Sequence, residues 1–214
     1  MINLILSDTD RSLCYLHEII KNKIEINKIF LYSKNYGPTY KFIKKKKIMC
    51  PMILFKTNDV NLINLDKKLK LSKSTINIIS TYPGEIIKKP SLIKIRLLHC
   101  HPGDLPKFKG STTIYYTIIQ KKKICVSIFV ISKNIDSGKI IYKKYFPYPR
   151  NVKEIEKNFD NKIRALTLID YLKINKKCNY KSTKINYLPY YIAHPIIRQI
   201  VLNKAYLKSS KLNK

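Results

Sequence analysis

Apolar residues in this chain come in short runs separated by polar, lysine-rich stretches. "INLIL" at residues 2–6 and "KIFLY" at residues 28–32 are rich in β-formers and predict strands. Between them Leu13, Leu16, Ile19 and Ile20 recur at helical spacing behind Asp10, a residue suited to cap the helix. That is a β-α-β start. "MCPMILF" at residues 49–55 predicts another strand, followed by a lysine-rich helix carrying Val60, Leu62, Leu65 and Leu69. "TINIIS" at residues 75–80 is the next strand and ends in "TYPGE", a turn by its Pro83-Gly84 pair. A short helix is expected over residues 86–90, then a strand from Ile93 to Cys100.

The second half continues the alternation. After Gly110, Ser111 is the expected cap of a helix running to about Gln120. "ICVSIFVIS" at residues 124–132 is near-continuously apolar, as a strand buried on both faces should be. "KIIYKKYF" at residues 139–146 alternates less clearly and predicts a strand nearer an edge. Asn151 with Glu154 resembles a capping box, and Val152, Ile155, Phe159, Ile163, Leu166 and Ile169 mark one face of a long helix behind it. Residues 175–189 are polar and irregular; a last helix carries Ile192, Ile196, Ile197 and Ile200. Strands alternating with helices predict an α/β fold around a mostly parallel sheet. Residues 1–174 are expected to form the main domain, and residues 175–214 a short extension with a helix.

In such sheets ligands bind beyond the carboxyl ends of the strands. The stretch at that position, "LLHCHPGDLPKFKGSTTIYY" (residues 97–116), concentrates rare residue types: two of the four histidines, two of the ten prolines and two of the five glycines. His101 leaves the strand and is stiffened at once by Pro102 and Gly103, with Pro106 and Gly110 restricting the loop further. Asp136 offers a carboxylate in the turn after the 124–132 strand. A histidine oriented by an aspartate suits proton movement or polarisation of a carbonyl. The chain has no GxSxG elbow, no Walker loop and no GxGxxG after its first strand. An imidazole-carboxylate site without a protein nucleophile fits attack of one substrate upon another.

"HCHPGDLPKFKGS" followed by "CVSIFVISKNIDSGKII" resembles the catalytic core of the formyltransferase family, whose members include methionyl-tRNA, glycinamide ribonucleotide and sugar-amine formyltransferases. The family pattern Asn-x-His-Pro-Ser-x-Leu-Pro-x-Tyr-x-Gly is matched by His101-Pro102, Leu105-Pro106 and Gly110, with Phe108 at the aromatic position. Asp136-x-Gly138 matches the family's later Asp-x-Gly, and "TYPGEII" resembles the loop that walls the folate pocket. The resemblance covers residues 75–146 and implies a Rossmann-like sheet flanked by helices. His99 stands where the family carries Asn, Gly103 where Ser is common, Phe129 where many members carry His, and Cys125 where many carry Gly.

The resemblance also implies a reaction. The formyl donor would be 10-formyltetrahydrofolate, held by backbone near Pro83, Gly84, Glu85 and Ile86 and near Ser132, Lys133, Asn134 and Ile135, with no metal. An acceptor amine would attack the formyl carbon while His99 and His101 stabilise the oxyanion and Asp136 takes the amine proton. Lys107, Lys109 and Gly110 lie where they could meet an acceptor phosphate. Methionyl-tRNA formyltransferases carry a second, barrel-like domain, and residues 175–214 are not expected to supply it. That leaves an amino-sugar nucleotide, or an initiator tRNA held by a basic surface, as the acceptor.

Composition changes this picture in one respect. The formal net charge is +30, which would attract RNA, DNA or another polyanion. The lysines are spread along the whole chain, with runs at residues 44–47 and 121–123, and come with abundant Ile, Asn and Tyr, a pattern that AT-rich coding also produces. A different class of function therefore stays open: a basic, catalytically inactive RNA-binding relic of the same fold, with His99 as the sign of decay. Five scattered cysteines without a CxxC pair predict small buried hydrophobes rather than a zinc site or a disulfide framework. No stretch reaches the length of a membrane helix, and the N-terminus has no basic segment ahead of its apolar run, so a cytoplasmic protein is expected.

Overall fold

A computed structural model describes residues 1–65, 75–120, 122–149, 154–174 and 187–211. Seven strands form one sheet: β1 (Ile2–Ser7), β2 (Ile26–Tyr32), β3 (Met52–Phe55), β4 (Ile76–Ser80), β5 (Leu97–His101), β6 (Ile124–Val130) and β7 (Ile140–Phe146). Their order is β3-β2-β1-β4-β5-β6-β7. β1 runs parallel to β2 and β4, β2 to β3, and β4 to β5, while β7 is antiparallel to β6. This is the parallel-rich α/β architecture the alternation of elements predicts. By chain contacts the molecule divides into two compact units, Met1–His99 with Val130–Lys133, and Cys100–Phe129 with Asn134–Lys214.

In the first unit β1 is buried at all six positions. Helix α1 (Asp10–Lys21) follows, but its cap is Thr9 rather than Asp10: the Thr9 hydroxyl accepts from the Ser12 amide. Asp10 is instead the first helical residue, where its charge complements the helix dipole. Helix α2 (Pro38–Lys46) does not stand out in the apolar pattern. It is started by Pro38 at its first turn, and Asp8, at the exit of β1, accepts from the amides of Gly37, Thr39 and Tyr40 at 2.7, 2.8 and 3.2 Å. Lys44, Lys45 and Lys46 occupy its last turn, a favourable place for cations.

Two expectations fail beyond β3. Where a helix carrying Val60, Leu62, Leu65 and Leu69 is expected, the described residues 60–65 hold a 3-10 turn, Val60–Leu62, and Leu69 lies outside the described residues. Tertiary contacts override the helical spacing: Val60, Ile63 and Leu65 are buried with Ile87, Leu92, Ile95 and Leu97 in one apolar cluster. The helix expected at residues 86–90 is α3 (Pro90–Lys94), since Pro90 starts a helix more readily than it ends one. Ile93 therefore belongs to that helix, and β5 begins only at Leu97.

In the second unit α4 (Thr113–Ile119) has Thr112 at its cap, with left-handed backbone, rather than Ser111. β6 is buried along nearly its whole length, as its apolar run predicts. A π-helical turn, Ile155–Phe159, leads into α5 (Asp160–Ile174). Asn151 and Val152, and most of the polar 175–189 segment, lie outside the described residues. The last helix is α6 (Pro195–Lys211), so Ile192 precedes it. Cys100 and Cys125 are buried as expected, whereas Cys14 and Cys50 are only partly so. No helix among the described residues is long and apolar enough to cross a membrane.

Candidate active site

β5 delivers His101 at its final position, where only 3% of the residue is exposed. Nδ1 of His101 lies 3.3 Å from Oδ2 of Asp136. Nε2 lies 2.7 Å from the carbonyl oxygen of Phe108. Both neighbours are acceptors, so a neutral ring can satisfy only one of them. The shorter distance assigns the single proton to Nε2–H donating to Phe108, leaving Nδ1 facing the carboxylate. Burial pushes the imidazole below its ordinary value, as does the Arg164 cation, while Asp136, the Phe108 carbonyl and Asp160 pull it up. The ring thus rests neutral, and Asp136 stands ready to stabilise a proton arriving at Nδ1.

Asp136 is itself held in an uncommon backbone conformation, with φ of 46°. Its Oδ2 also accepts from the amide of Gly110 at 2.8 Å. Oδ1 has no hydrogen-bond partner among the described residues, so one carboxylate oxygen anchors and the other is available for a proton. Gly110 has φ of 97°, the left-handed backbone glycine tolerates best.

The loop after β5 is fixed at many points. Thr113 donates to the Pro102 carbonyl at 2.5 Å, and Ser127 on β6 donates to the Gly103 carbonyl at 2.6 Å while accepting from the Leu105 amide. Lys143 on β7 pairs with Asp104 at 2.6 Å. Gly103 is demanded by space: a Cβ there would lie 2.1 Å from the Phe108 carbonyl oxygen and 2.6 Å from Nε2 of His101. The space at this position thus suits glycine rather than the serine common in the family. Cys125 is a buried thiol pushed up to about 12 by burial, with Asp104 adding to the shift, and is unreactive in that state.

Behind the strand end, Arg164 on α5 donates to both carboxylate oxygens of Asp160 at 2.8 Å and to the Cys100 carbonyl at 3.1 Å. This clamp fixes the peptide immediately before His101. It is missed in the apolar pattern, and its one signal in the sequence is the i,i+4 spacing of an acid and a base.

In the first unit His99 is partly exposed, and its Nδ1 lies 3.2 Å from the Ile79 carbonyl oxygen. A carbonyl only accepts, so this contact puts the proton of a neutral His99 on Nδ1. The Pro83–Gly84 turn is present, with Gly84 at φ of 76°. Glu85 is an anchor: it accepts from Tyr32 Oη at 2.7 Å, from the Tyr82 amide at 2.9 Å and from the Val60 amide at 2.5 Å. A ligand would meet the backbone of this turn rather than that carboxylate. Of the acceptor-site candidates, Lys109 is buried with Nζ 3.5 Å from the Ser137 hydroxyl, and Lys107 lies over the Phe108 ring. His17 is an exposed residue of α1 beside Glu18, and His194 caps α6, which fits structural roles for both. No cluster of three potential metal ligands occurs among the described residues.

A mostly parallel α/β sheet with a buried histidine-aspartate pair at a strand end defines the class of protein. The family described as formyl transferase matches residues 12–166, and the chain belongs to it. Among curated relatives, methionyl-tRNA formyltransferase of Campylobacter lari is 26% identical over 188 residues, covering 81% of this chain and 61% of its own length. The corresponding protein of Thermodesulfovibrio yellowstonii is 30% identical over 107 residues, covering 48% of this chain and 34% of its own. The chain thus matches only about a third to three fifths of these relatives' lengths. Among solved structures, an N-formyltransferase from Helicobacter canadensis, in complex with folinic acid and dTDP-3-aminofucose, superposes with a TM-score of 0.59 at 17% identity. That match covers 96% of this chain and 81% of the other, and it shows a shared fold.

Proposed function

We propose that this chain transfers a formyl group from 10-formyltetrahydrofolate to a primary amine. The observation that carries the reading is the buried His101–Asp136 pair, Nδ1 to Oδ2 at 3.3 Å, in a member of the formyl transferase family. The amine attacks the formyl carbon and the carbonyl oxygen becomes an oxyanion. His99 and His101 stabilise that charge, His101 by turning its Nε2–H from the Phe108 carbonyl to the oxyanion, while Asp136 Oδ1 takes the proton the amine must lose. Collapse of the tetrahedral species breaks the bond to the folate nitrogen, which takes up a proton as it leaves. The donor's pterin is assigned to the backbone of Pro83, Gly84, Glu85 and Ile86 and of Ser132, Lys133, Asn134 and Ile135.

Initiator methionyl-tRNA is the acceptor favoured by the names of the curated relatives and by a net charge of +30, which would draw in an RNA. An amino-sugar nucleotide is favoured by the ligand of the Helicobacter canadensis neighbour. Lys107 and Lys109 are the residues assigned to the acceptor's phosphate in either case; Gly110, expected beside them, has its amide committed to Asp136 instead. Incubation with 10-formyltetrahydrofolate and each acceptor in turn, read by mass spectrometry, separates the two. Transfer to one acceptor supports the reading, and transfer to neither refutes it.

A further inference from the structure

Residues 187–193 lie beyond the segment matched to the family, yet they are built into the loop that holds the histidine-aspartate pair. The Tyr190 amide donates to the Lys109 carbonyl at 2.8 Å, and the Ser111 amide donates to the Tyr190 carbonyl at 2.8 Å, a short parallel bridge spanning Gly110. The Tyr190 ring stacks between two others, Phe108 at 5.7 Å between centroids and Tyr116 at 4.4 Å. Its hydroxyl accepts from Gln120 at 2.8 Å. Thr112 accepts from the Ala193 amide at 2.8 Å, which explains why its hydroxyl does not cap α4.

Phe108 and Gly110 are the two residues that grip the pair. The Phe108 carbonyl receives Nε2 of His101, and the Gly110 amide holds Oδ2 of Asp136. Tyr190 contacts both, one through its ring and the other through its backbone. No side chain fits at position 110, since a Cβ there would lie 2.3 Å from the Tyr190 carbonyl oxygen.

We propose that Tyr190 is a positioning residue for the reaction: by clamping residues 108–111 it sets the placement of Asp136 against Nδ1 of His101. The inference rests on the reading of His101 and Asp136 as the proton-handling pair. The charged groups acting on the imidazole are Asp136, Arg164 and Asp160. Loosening the clamp moves away Asp136 and the Phe108 carbonyl, the two neighbours that Tyr190 controls, and both favour the protonated ring.

The test compares Tyr190→Ala and Tyr190→Phe in the full chain. Formyl transfer is measured together with an NMR titration of the His101 imidazole, whose signal is assigned by its loss in His101→Asn. Tyr190→Ala is expected to lower kcat about 10- to 100-fold, the scale of a small misplacement of reacting groups, with donor KM nearly unchanged. It is also expected to move the His101 midpoint to lower pH. Tyr190→Phe keeps the stack and the bridge and is expected to retain both properties. A wild-type rate and midpoint in Tyr190→Ala would overturn the proposal, as would equal losses in Tyr190→Phe. If Tyr190→Ala does not fold, Tyr116→Leu removes one face of the stack and carries the same expectations and the same refutation. If the wild type transfers no formyl group, the functional reading fails, and the imidazole midpoint alone decides the clamp: a shift supports it and no shift overturns it.

Discussion

Oδ2 of Asp136 makes two contacts at once, 2.8 Å to the Gly110 amide and 3.3 Å to Nδ1 of His101. The carboxylate is thereby fixed by the backbone of the same loop whose Phe108 carbonyl holds the other face of the imidazole. That loop thus holds Nε2 directly, through Phe108, and Nδ1 indirectly, through the carboxylate it anchors.

Stability should fall as this ring is forced to take a proton. The folded-state value of His101 lies below the ordinary 6.5, chiefly because of burial. The unfolded chain therefore binds more protons as pH falls below 6.5, and the loss accumulates until the folded value is reached. Urea midpoints taken from pH 7.5 down to 5 should drop more steeply for the wild type than for His101→Asn. Parallel declines would contradict the burial argument.

Gly103 departs from the family's serine, and restoring that serine should do harm. A Cβ at this position would press on the Phe108 carbonyl and on His101 itself. Gly103→Ser is expected to cost about 1–3 kcal/mol, the usual range for overpacking a tight site, and to lower activity with it. Thermal melts of the two proteins check this, and an unchanged midpoint would mean that the loop gives way.

His99 invites the opposite experiment. With Nδ1–H turned to the Ile79 carbonyl, its Nε2 donates to an oxyanion only when the ring is doubly protonated. His99→Asn supplies an amide donor in every protonation state and should retain or raise kcat. A variant with clearly lower kcat and unchanged folate binding would remove His99 from the oxyanion role.

How much of this was legible in the sequence depends on how local each cause is. All seven strands, α1, α4 and the last helix follow from apolar runs and spacing, because each buries a face set by its own residues. The 3-10 turn at Val60 does not: Val60, Ile63 and Leu65 answer to a core shared with Ile87, Leu92 and Leu97. Helix α2 carries its signal in Gly37-Pro38 rather than in an apolar stripe, and its cap comes from Asp8, far back in the chain. At the candidate site, motif and spacing point to His101 and Asp136, and the structure brings them together. The supports carry no such signal. Arg164 acts on Cys100 in β5 from 64 residues away and Tyr190 bridges Gly110 from 80 (190 − 110), and nothing near either residue announces its partner.

The central claim is that the His101–Asp136 pair handles the proton of a formyl transfer, and one rate ratio tests it most directly. Single-turnover formylation of the acceptor by 10-formyltetrahydrofolate should be compared for the wild type and Asp136→Asn. The asparagine keeps the side chain's size and can still accept from Gly110, but it removes the charge and the site for a proton. The wild type should transfer the formyl group, and the variant should react about 100-fold more slowly or worse, the scale of losing a positioned acid-base group, with folate binding retained. An active wild type whose Asp136→Asn variant reacts at an undiminished rate would contradict it.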